Sequence, residues 1–246
     1  MFLGENAPTH PVPPDTFAFV GAAGGAGTTR LALESATLLA REGRDVALLD
    51  AAYATQGLAD HTPGRIDPDM TALCVDDRPL AAGLIDRDLQ GAGRLSVCPA
   101  RAPFERLARA KTPEAAERFG DHVAAAARGF DHVVVDVPPV GANQAVAAVT
   151  AVEAAAVVAD AGRAGDVLPR TRDRLLDLGV EPTAAVVTGT ADHPDADATL
   201  PTLEADPPAV AASAAAREHV ADVLAAALEL EVDTEEDRGL REKLSF

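Results

Sequence analysis

Short apolar runs alternate with helical stretches along most of this chain. The strand-like segments are TFAFVG, DVALLD, RLSVCPA, DHVVVDV, AAAVVAD and TAAVVTG. Between them lie segments of helical periodicity, such as TPEAAERFGDHVAAAARG and DVLPRTRDRLLDLG. Continuous apolar strands separated by helices are typical of a parallel sheet that is buried on both faces. The pattern therefore predicts a three-layer α/β fold, with a mostly parallel sheet and helices on both faces.

The first predicted helix follows the first strand closely. It has the sequence TRLALESATLLAREG, and Gly43 is expected to end it. The predicted buried face of this helix carries Leu31, Ala32, Ser35, Leu38 and Leu39.

Two less regular regions, 52–70 and 190–208, are rich in Asp, Pro, Thr and Gly. They are predicted to lie at strand ends, on the ligand edge of the sheet.

We predict one domain over residues 16–230, between a proline-rich tail at 1–15 and a charged tail at 231–246. The first tail has neither the basic nor the apolar region of a signal peptide. The second ends in RGLREKLSF, about two helical turns, directly after the acidic EVDTEED, so we expect no membrane contact through it. No apolar stretch reaches the ~20 residues of a membrane span, and a soluble, cytoplasmic protein is expected.

The charge of the chain opposes binding to polyanions. It has 39 acidic and 21 basic residues, for a net charge of −18, so we expect no direct sequence-specific contact with nucleic acid. Lys111 and Lys243 are the only lysines, and aromatic residues make up 3% of the chain. This composition is typical of haloarchaeal proteins, because molar salt shortens the Debye length to about 3 Å and screens an acidic surface. A GC-rich acidic proteome is the alternative explanation.

The cysteines and histidines do not indicate a metal site. Cys74 and Cys98 form no CxxC pair, so we expect reduced, mostly buried thiols and no structural metal. The histidines show no ligand or catalytic-triad spacing and are expected at the surface or in loops. They are His10, His61, His122, His132, His193 and His219.

The segment most informative about chemistry is VGAAGGAGTTR, residues 20–30, which joins the first strand to the first helix. Glycines let backbone amides approach a phosphate closely, and a helix N-terminus adds unpaired NH groups and a favourable dipole. The segment therefore predicts anion binding by the backbone. The candidate phosphate-binding residues are Gly24, Gly25, Ala26, Gly27, Thr28, Thr29 and Arg30.

This loop resembles that of the ParA/MinD family of deviant Walker ATPases, which reads Lys, Gly, Gly, any, Gly, Lys, Ser/Thr, Thr. Two further segments match in order and spacing: a strand that ends at Asp50 and precedes Gln56 and Gly57, and FDHVVVDVPP, which contains Asp136. The resemblance implies a P-loop NTPase fold that binds ATP or ADP with Mg²⁺. It also implies that Thr29, Asp50 and Asp136 surround the metal, and that the protein positions chromosomes, plasmids or the division site.

The chain departs from the family pattern at positions that carry charge. Ala23 and Thr28 occupy the places of the two loop lysines, and Ala52 that of an aspartate that helps position the attacking water. TAAVVTG also lacks the asparagine commonly used against adenine. We therefore assign no catalytic residue and expect weak nucleotide binding with little or no hydrolysis. A homodimer, or a heterodimer with an intact paralogue that supplies the missing cations, is the expected assembly.

Three other hypotheses remain open at this stage. An active ATPase would need a replacement cation, and Arg30, Arg101 and Arg163 are candidates, although Arg30 is expected to point about 200° away from the lysine position. A second hypothesis is a protein-interaction scaffold that binds no nucleotide.

The third hypothesis is a non-catalytic dinucleotide site. Gly21, Gly25 and Gly27 fit a GxxxGxG spacing, and Asp50 could accept a ribose hydroxyl. Dehydrogenase chemistry is excluded, because short-chain dehydrogenases need a lysine four residues after a tyrosine, and four residues after Tyr53, the only tyrosine, the chain has glycine.

Overall fold

The chain folds around one eight-stranded sheet. The computed structural model describes residues 15–232, so the predicted tails lie outside the described residues except at their inner ends. The strands are β1 (Thr16–Gly21), β2 (Asp45–Asp50), β3 (Ile85–Arg87), β4 (Arg94–Cys98), β5 (His132–Val137), β6 (Ala154–Asp160), β7 (Ala184–Thr188) and β8 (Ala198–Leu200). Their order is β3-β4-β2-β5-β1-β6-β7-β8, and each neighbouring pair is parallel except β3 with β4.

Helices cover both faces of this sheet. They are α1 (Thr28–Arg41), α2 (Gly57–Asp60), α3 (Met70–Asp76), α4 (Phe104–Arg109), α5 (Pro113–Ala127), α6 (Asn143–Thr150), α7 (Ala164–Asp177) and α8 (Ala214–Leu228). Side chains of α1 and α8 join the core on one face, and those of α3, α5, α6 and α7 join the core on the other. The predicted three-layer α/β fold is confirmed. Within residues 15–232, no helix is both long enough and apolar enough to cross a membrane.

The central strands are apolar along most of their length because both faces of the sheet are covered. In β1, Phe17 and Phe19 belong to the core beneath α1 and α8. The alternate residues Ala18 and Val20 belong to the opposite core. Successive side chains of a strand point to opposite faces, so a doubly covered strand has no polar face.

Helix α1 is buried more completely than the sequence predicted. Every residue from 31 to 40 is buried, not one face alone. The helix packs against β2 and β5 on one side, and against α8 and a short 3₁₀ turn at Ala209–Ala211 on the other. Its predicted end is confirmed, since Gly43 has a φ of +94° directly after the helix.

A buried carboxylate on α1 holds the 3₁₀ turn in place. Glu34 is fully buried and accepts hydrogen bonds from the backbone amides of Ala209 at 2.7 Å and Val210 at 3.0 Å. Arg30 lies one turn earlier and its Nε is 3.2 Å from the Glu34 carboxylate. The charge is therefore satisfied inside the core, which is the condition for burying a carboxylate.

Two of the histidines are not at the surface or in loops, so that expectation is wrong for them. His132 lies in β5, with its ring 6.4 Å from that of Phe17. His122 lies in α5, and burial lowers its pKa. Both side chains are buried, and histidine is intermediate among residue types in how often it is buried. His61, His193 and His219 are half-buried, and His10 lies outside the described residues.

The two cysteines are free and buried, as predicted. Cys74 lies in α3, and its Sγ is 3.5 Å from the hydroxyl of Tyr53. Burial raises the pKa of Cys74 to about 11 and that of Cys98 well above its usual range. Thiolates are the reactive form of cysteine, so these thiols should be inert in the folded protein.

We expect a thiol reagent such as Ellman's to modify the native protein very slowly. At about pH 8, a pKa near 11 leaves roughly 1 thiol in 1,000 ionised, against about a quarter for an ordinary cysteine. The measurement compares the modification rate of the native protein with that of the same protein in denaturant. Equal rates would contradict the described burial of Cys74 and Cys98.

Candidate functional site

The glycine loop lies at the centre of the sheet's carboxyl edge. Residues 22–27 connect β1 to α1, and β1 pairs with β5 on one side and β6 on the other. Strand β2 lies beyond β5, so the connection that follows β1 leads to one side of the sheet. The connection that follows β5 leads to β6, on the other side of β1. In open α/β sheets this divergence creates the crevice in which ligands bind.

The backbone of the loop requires glycine at two positions. Gly25 and Gly27 have φ values of +79° and +80°, a conformation that costs other residues free energy. Gly27 is the N-cap of α1, and its carbonyl accepts a 2.9 Å hydrogen bond from the amide of Leu31. The amides of the first helical turn have no partner within the helix, so they are available to an anion.

Side chains from two neighbouring strand ends hold the loop by its carbonyl groups. Arg163 follows β6 and donates from Nη2 to the Gly24 carbonyl at 2.7 Å. Thr188, the last residue of β7, donates from Oγ1 to the Ala26 carbonyl at 2.8 Å. Both contacts use carbonyl oxygens of the loop, so its amides are not consumed by them.

A hydroxyl and a carboxylate meet where α1 begins. Thr29 in the first turn of α1 donates from Oγ1 to Oδ2 of Asp136 at 2.6 Å. Asp136 lies in β5, the strand next to the loop's own strand, and is 1% exposed. A hydroxyl and one carboxylate are oxygen ligands of the kind that Mg²⁺ uses together with phosphate and water. The pair therefore fits the predicted magnesium site.

Asp50 lies beside Asp136 but is engaged by the backbone. The two aspartates are register partners on β2 and β5. The Asp50 carboxylate accepts from the amide of Ala52 at 2.7 Å and from that of Ala100 at 3.0 Å, and so joins the loops that follow β2 and β4. The structure thus brings together the three predicted metal residues, with Thr29 contacting Asp136 directly and Asp50 holding two loops.

The two aspartates are costly to ionise. Burial, together with the neighbouring charge of Asp136, raises the pKa of Asp50 to about 8. Burial also raises the pKa of Asp136 to about 6, although the hydrogen bond from Thr29 opposes this shift. Residues 15–232 contain no group of three or more His, Cys, Asp or Glu side chains that could hold a metal ion unaided. A cation here would need further ligands, and phosphate oxygens and water are those that Mg²⁺ prefers.

The three arginines considered as replacement cations have different contacts. Arg30 is directed to Glu34 and to the carbonyl of Ala205, so its guanidinium points away from the loop, as its helical position predicted. Arg101 is exposed beyond β4. Arg163 alone of the three touches the glycine loop.

Thr28, which the resemblance aligns with the second family lysine, lies close to Gly21. A Cβ on Gly21 would lie 2.9 Å from the Oγ1 of Thr28, so the threonine side chain covers the end of β1. Neither Thr28 nor the half-buried Ala23 brings a positive charge to the loop.

One further buried carboxylate at this edge was not predicted from the sequence. Asp69 is the N-cap of α3, is 1% exposed, and accepts from the amide of Arg101 and from Nη2 of Arg106, both at 2.7 Å. An aspartate directly before an apolar helical run was the available signal. Its charge adds to the forces that raise the pKa of Asp50.

The strand order does not match that of a dinucleotide site. In the dinucleotide-binding fold β2 pairs with β1, and a free acidic residue at the end of β2 binds the ribose. Here β5 separates β1 from β2, and backbone amides already occupy the Asp50 carboxylate. These observations disfavour the dinucleotide hypothesis.

Solved structures with the same architecture include nucleotide-bound proteins. MinD from Pyrococcus horikoshii, complexed with Mg-ADP, is 15% identical with a TM-score of 0.60, over 76% of this chain and 80% of that one. Cobyrinic acid a,c-diamide synthase from Mycobacterium smegmatis, with an ATP analog and magnesium, is 18% identical with a TM-score of 0.64, over 89% and 98%. McdA from Cyanthece, in its apo form, is 18% identical with a TM-score of 0.57, over 84% and 81%.

At the level of sequence, no family model matches the chain, and neither does any curated protein. The likeness is therefore one of three-dimensional structure, over most of each protein compared. It agrees with the sheet order, the position of the glycine loop and the helices on both faces. The chain thus has the P-loop NTPase fold that it shares with the MinD and cobyrinic acid a,c-diamide synthase structures.

Proposed function

We propose that this chain is a ParA/MinD-like protein that binds ATP or ADP with Mg²⁺ and acts in, or regulates, chromosome or plasmid partitioning or the positioning of cell division. The observation that carries the proposal is the Thr29–Asp136 pair at the start of α1, next to a glycine loop at the sheet's carboxyl edge. A hydroxyl and a buried carboxylate at this place are oxygen ligands of the kind that Mg²⁺ uses together with phosphate.

Each part of the site has a defined task in nucleotide binding. The amides of residues 24–29 would bind phosphate oxygens, aided by the dipole of α1. Thr29 and Asp136 would hold Mg²⁺, with Asp50 beside them. The ion would supply positive charge to the phosphates, and would offset the buried charge of the aspartates. The chain's own residues thereby fix where the phosphates lie.

The same site is poorly equipped for hydrolysis. A lysine about 4 Å from a phosphate charge contributes about 4 kcal/mol at an effective dielectric near 20, and each 1.4 kcal/mol changes affinity tenfold. Without it, affinity should fall by roughly two to three decades. Ala52, which is 3% exposed, offers no carboxylate to orient water. Phosphoryl transfer depends on positioning and cations, so turnover should suffer more than binding.

We also propose that the protein works as a dimer. A second copy, or an intact paralogue, would bring cations to the loop from outside the chain. Nucleotide binding would then regulate assembly with the partner, without efficient turnover.

The proposal is tested by calorimetry of the purified full chain with ATP and with ADP, in magnesium and molar potassium chloride. We expect saturable binding with a Kd of up to about 1 mM, two to three decades weaker than a micromolar site. No binding at millimolar nucleotide would overturn the proposal and leave a P-loop fold that serves as an interaction scaffold. Steady-state release of phosphate in the same buffer separates a binding protein from an active ATPase with an unusual cation arrangement.

Removal of the Thr29 hydroxyl should selectively weaken binding that depends on magnesium. Thr29→Ala is expected to lower the affinity for Mg-ATP about tenfold, close to the worth of one hydrogen bond or ligand at a charged centre. Thr29→Ser keeps the hydroxyl and is the matched control, with near wild-type affinity expected. Equal losses in both variants, or a loss that persists with chelator present, would contradict the role of the hydroxyl.

A further inference from the structure

The arginine that touches the glycine loop is held there by a carboxylate of its own. Arg163 is the N-cap of α7, and Asp160 is the last residue of β6. The Oδ2 of Asp160 lies 2.7 Å from Nε and 2.6 Å from Nη2 of Arg163. Nη2 also donates to the Gly24 carbonyl. One guanidinium therefore links the end of β6 to the first half of the loop.

The guanidinium lies over the first half of the loop, beside Gly24, which directly follows Ala23, the residue that the resemblance aligns with the first family lysine. A Cβ on Gly25 would have Nη2 of Arg163 as its neighbour at 3.8 Å. Nε and Nη2 are engaged, and within residues 15–232 Nη1 has no hydrogen-bond partner. An arginine carries five N–H donors in a planar fork, so two donors on Nη1 remain for an anion.

We propose that Arg163 is the phosphate-binding cation of this loop, positioned by Asp160 for a nucleoside triphosphate; this assignment rests on the proposed nucleotide binding. The side chain is 46% exposed, so it is open to a ligand arriving from solvent. Asp160 offsets part of its charge, and the contribution to affinity is therefore smaller than that of a lysine within the loop. The arrangement explains how a glycine loop without lysine retains a positive group at the bound phosphates.

The test measures Mg-ATP binding to the full chain by calorimetry, in wild type and in Arg163→Ala. We expect affinity to fall about tenfold, which corresponds to about 1.4 kcal/mol. Arg172→Ala is the matched control: Arg172 lies in α7, is 47% exposed and pairs with Asp197 at 3.4 Å, so the same charge is removed from a similar ion pair away from the loop. Its affinity should remain within about twofold of wild type, because exposed ion pairs contribute little.

Two further variants separate a charged role from a purely structural hold on Gly24. Arg163→Lys keeps the charge, and should recover part of the affinity lost in Arg163→Ala. Arg163→Gln keeps a donor for the Gly24 carbonyl without the charge, and should recover none. The reverse pattern would show that Arg163 only braces the loop and would overturn the assignment.

The remaining outcomes separate this assignment from the proposed function. If wild type binds Mg-ATP and Arg163→Ala binds it equally well, the assignment is wrong and the proposed function stands. If Arg163→Ala binds more tightly, the guanidinium obstructs the loop and the assignment is likewise wrong. If wild type binds no nucleotide, the proposed function fails, and the assignment fails with it.

Discussion

Thr28→Lys should raise the affinity of the chain for Mg-ATP about a hundredfold. The substitution adds a cation at the loop position that the resemblance aligns with the phosphate-binding lysine of the ParA/MinD pattern. An ammonium group about 4 Å from a phosphate gains about 4 kcal/mol at an effective dielectric near 20, and partial loss of its hydration leaves about 3 kcal/mol. The gain is measured by calorimetry against wild type.

We expect the fold to tolerate this substitution. Thr28 is the first residue of α1 and is half-buried, and its hydroxyl lies against Gly21. Lysine is also a better helix former than threonine by a few tenths of a kcal/mol, roughly. We therefore expect the variant to fold as wild type does.

Thr150→Lys is the matched control for this gain. Thr150 is the exposed last residue of α6, just before β6 begins, and so lies at the opposite edge of the sheet. It adds the same charge to a chain of net charge −18. A gain in both variants would show a general charge effect. No gain in Thr28→Lys would contradict the alignment of Thr28 with the family lysine.

Asp136→Asn should stabilise the protein when magnesium is absent, while abolishing magnesium-dependent nucleotide binding. Burial raises the pKa of Asp136 to about 6, so its ionised carboxylate costs free energy in the folded protein relative to the unfolded chain. One pKa unit corresponds to about 1.4 kcal/mol, so removing this cost should raise the free energy of unfolding by about 2 kcal/mol, after the weakened bond from Thr29 is allowed for. Urea unfolding at about pH 8 with a chelator gives the measurement.

The pH dependence of stability should change in a defined direction. The pKa values of Asp50 and Asp136 are raised in the folded state, so the folded protein holds protons that the unfolded chain has released. Stability therefore falls as the pH rises from about 4 to about 8. Asp136→Asn removes one of the two ionisations and the repulsion between them, so its stability should fall less over the same interval.

Asp222→Asn makes the same change of charge on the exposed side of α8 and should leave stability near that of wild type. A variant Asp136→Asn that is less stable than wild type at about pH 8 would show that the hydrogen bond from Thr29 outweighs the cost of the buried charge. Substitutions in functional sites often stabilise a protein while they weaken ligand binding.

The long apolar segments predicted the central strands well. A strand that is covered on both faces is apolar along most of its length, and such a run is easy to recognise in a sequence. The two edge strands were not predicted. β3 and β8 have three residues each, and segments this short carry too little periodicity to be recognised. Helix α1 was predicted with one buried face, since the sequence did not show that α8 and the 209–211 turn would cover the other.

The sequence predicted which local segments meet at the candidate site, and their role in binding stays a prediction. The loop, Thr29 and Asp136 follow from the order of short segments, and the strand pairing brings them together. The contact between Arg163 and the Gly24 carbonyl joins positions 139 residues apart, and no local pattern predicts such a pair. The role of Asp50 as a brace between two loops depends in the same way on β4 being the neighbour of β2.

That brace also bears on the thermodynamics of ligand capture. The Asp50 carboxylate accepts hydrogen bonds from the backbone at Ala52 and at Ala100, so we expect both loops to be held in place before any ligand arrives. A pre-ordered rim loses little conformational entropy on binding, whereas a rim that folds around its ligand loses much. Nucleotide binding to this chain should therefore show only a small change in heat capacity, and proteases should cut the rim at the same rate with and without ligand.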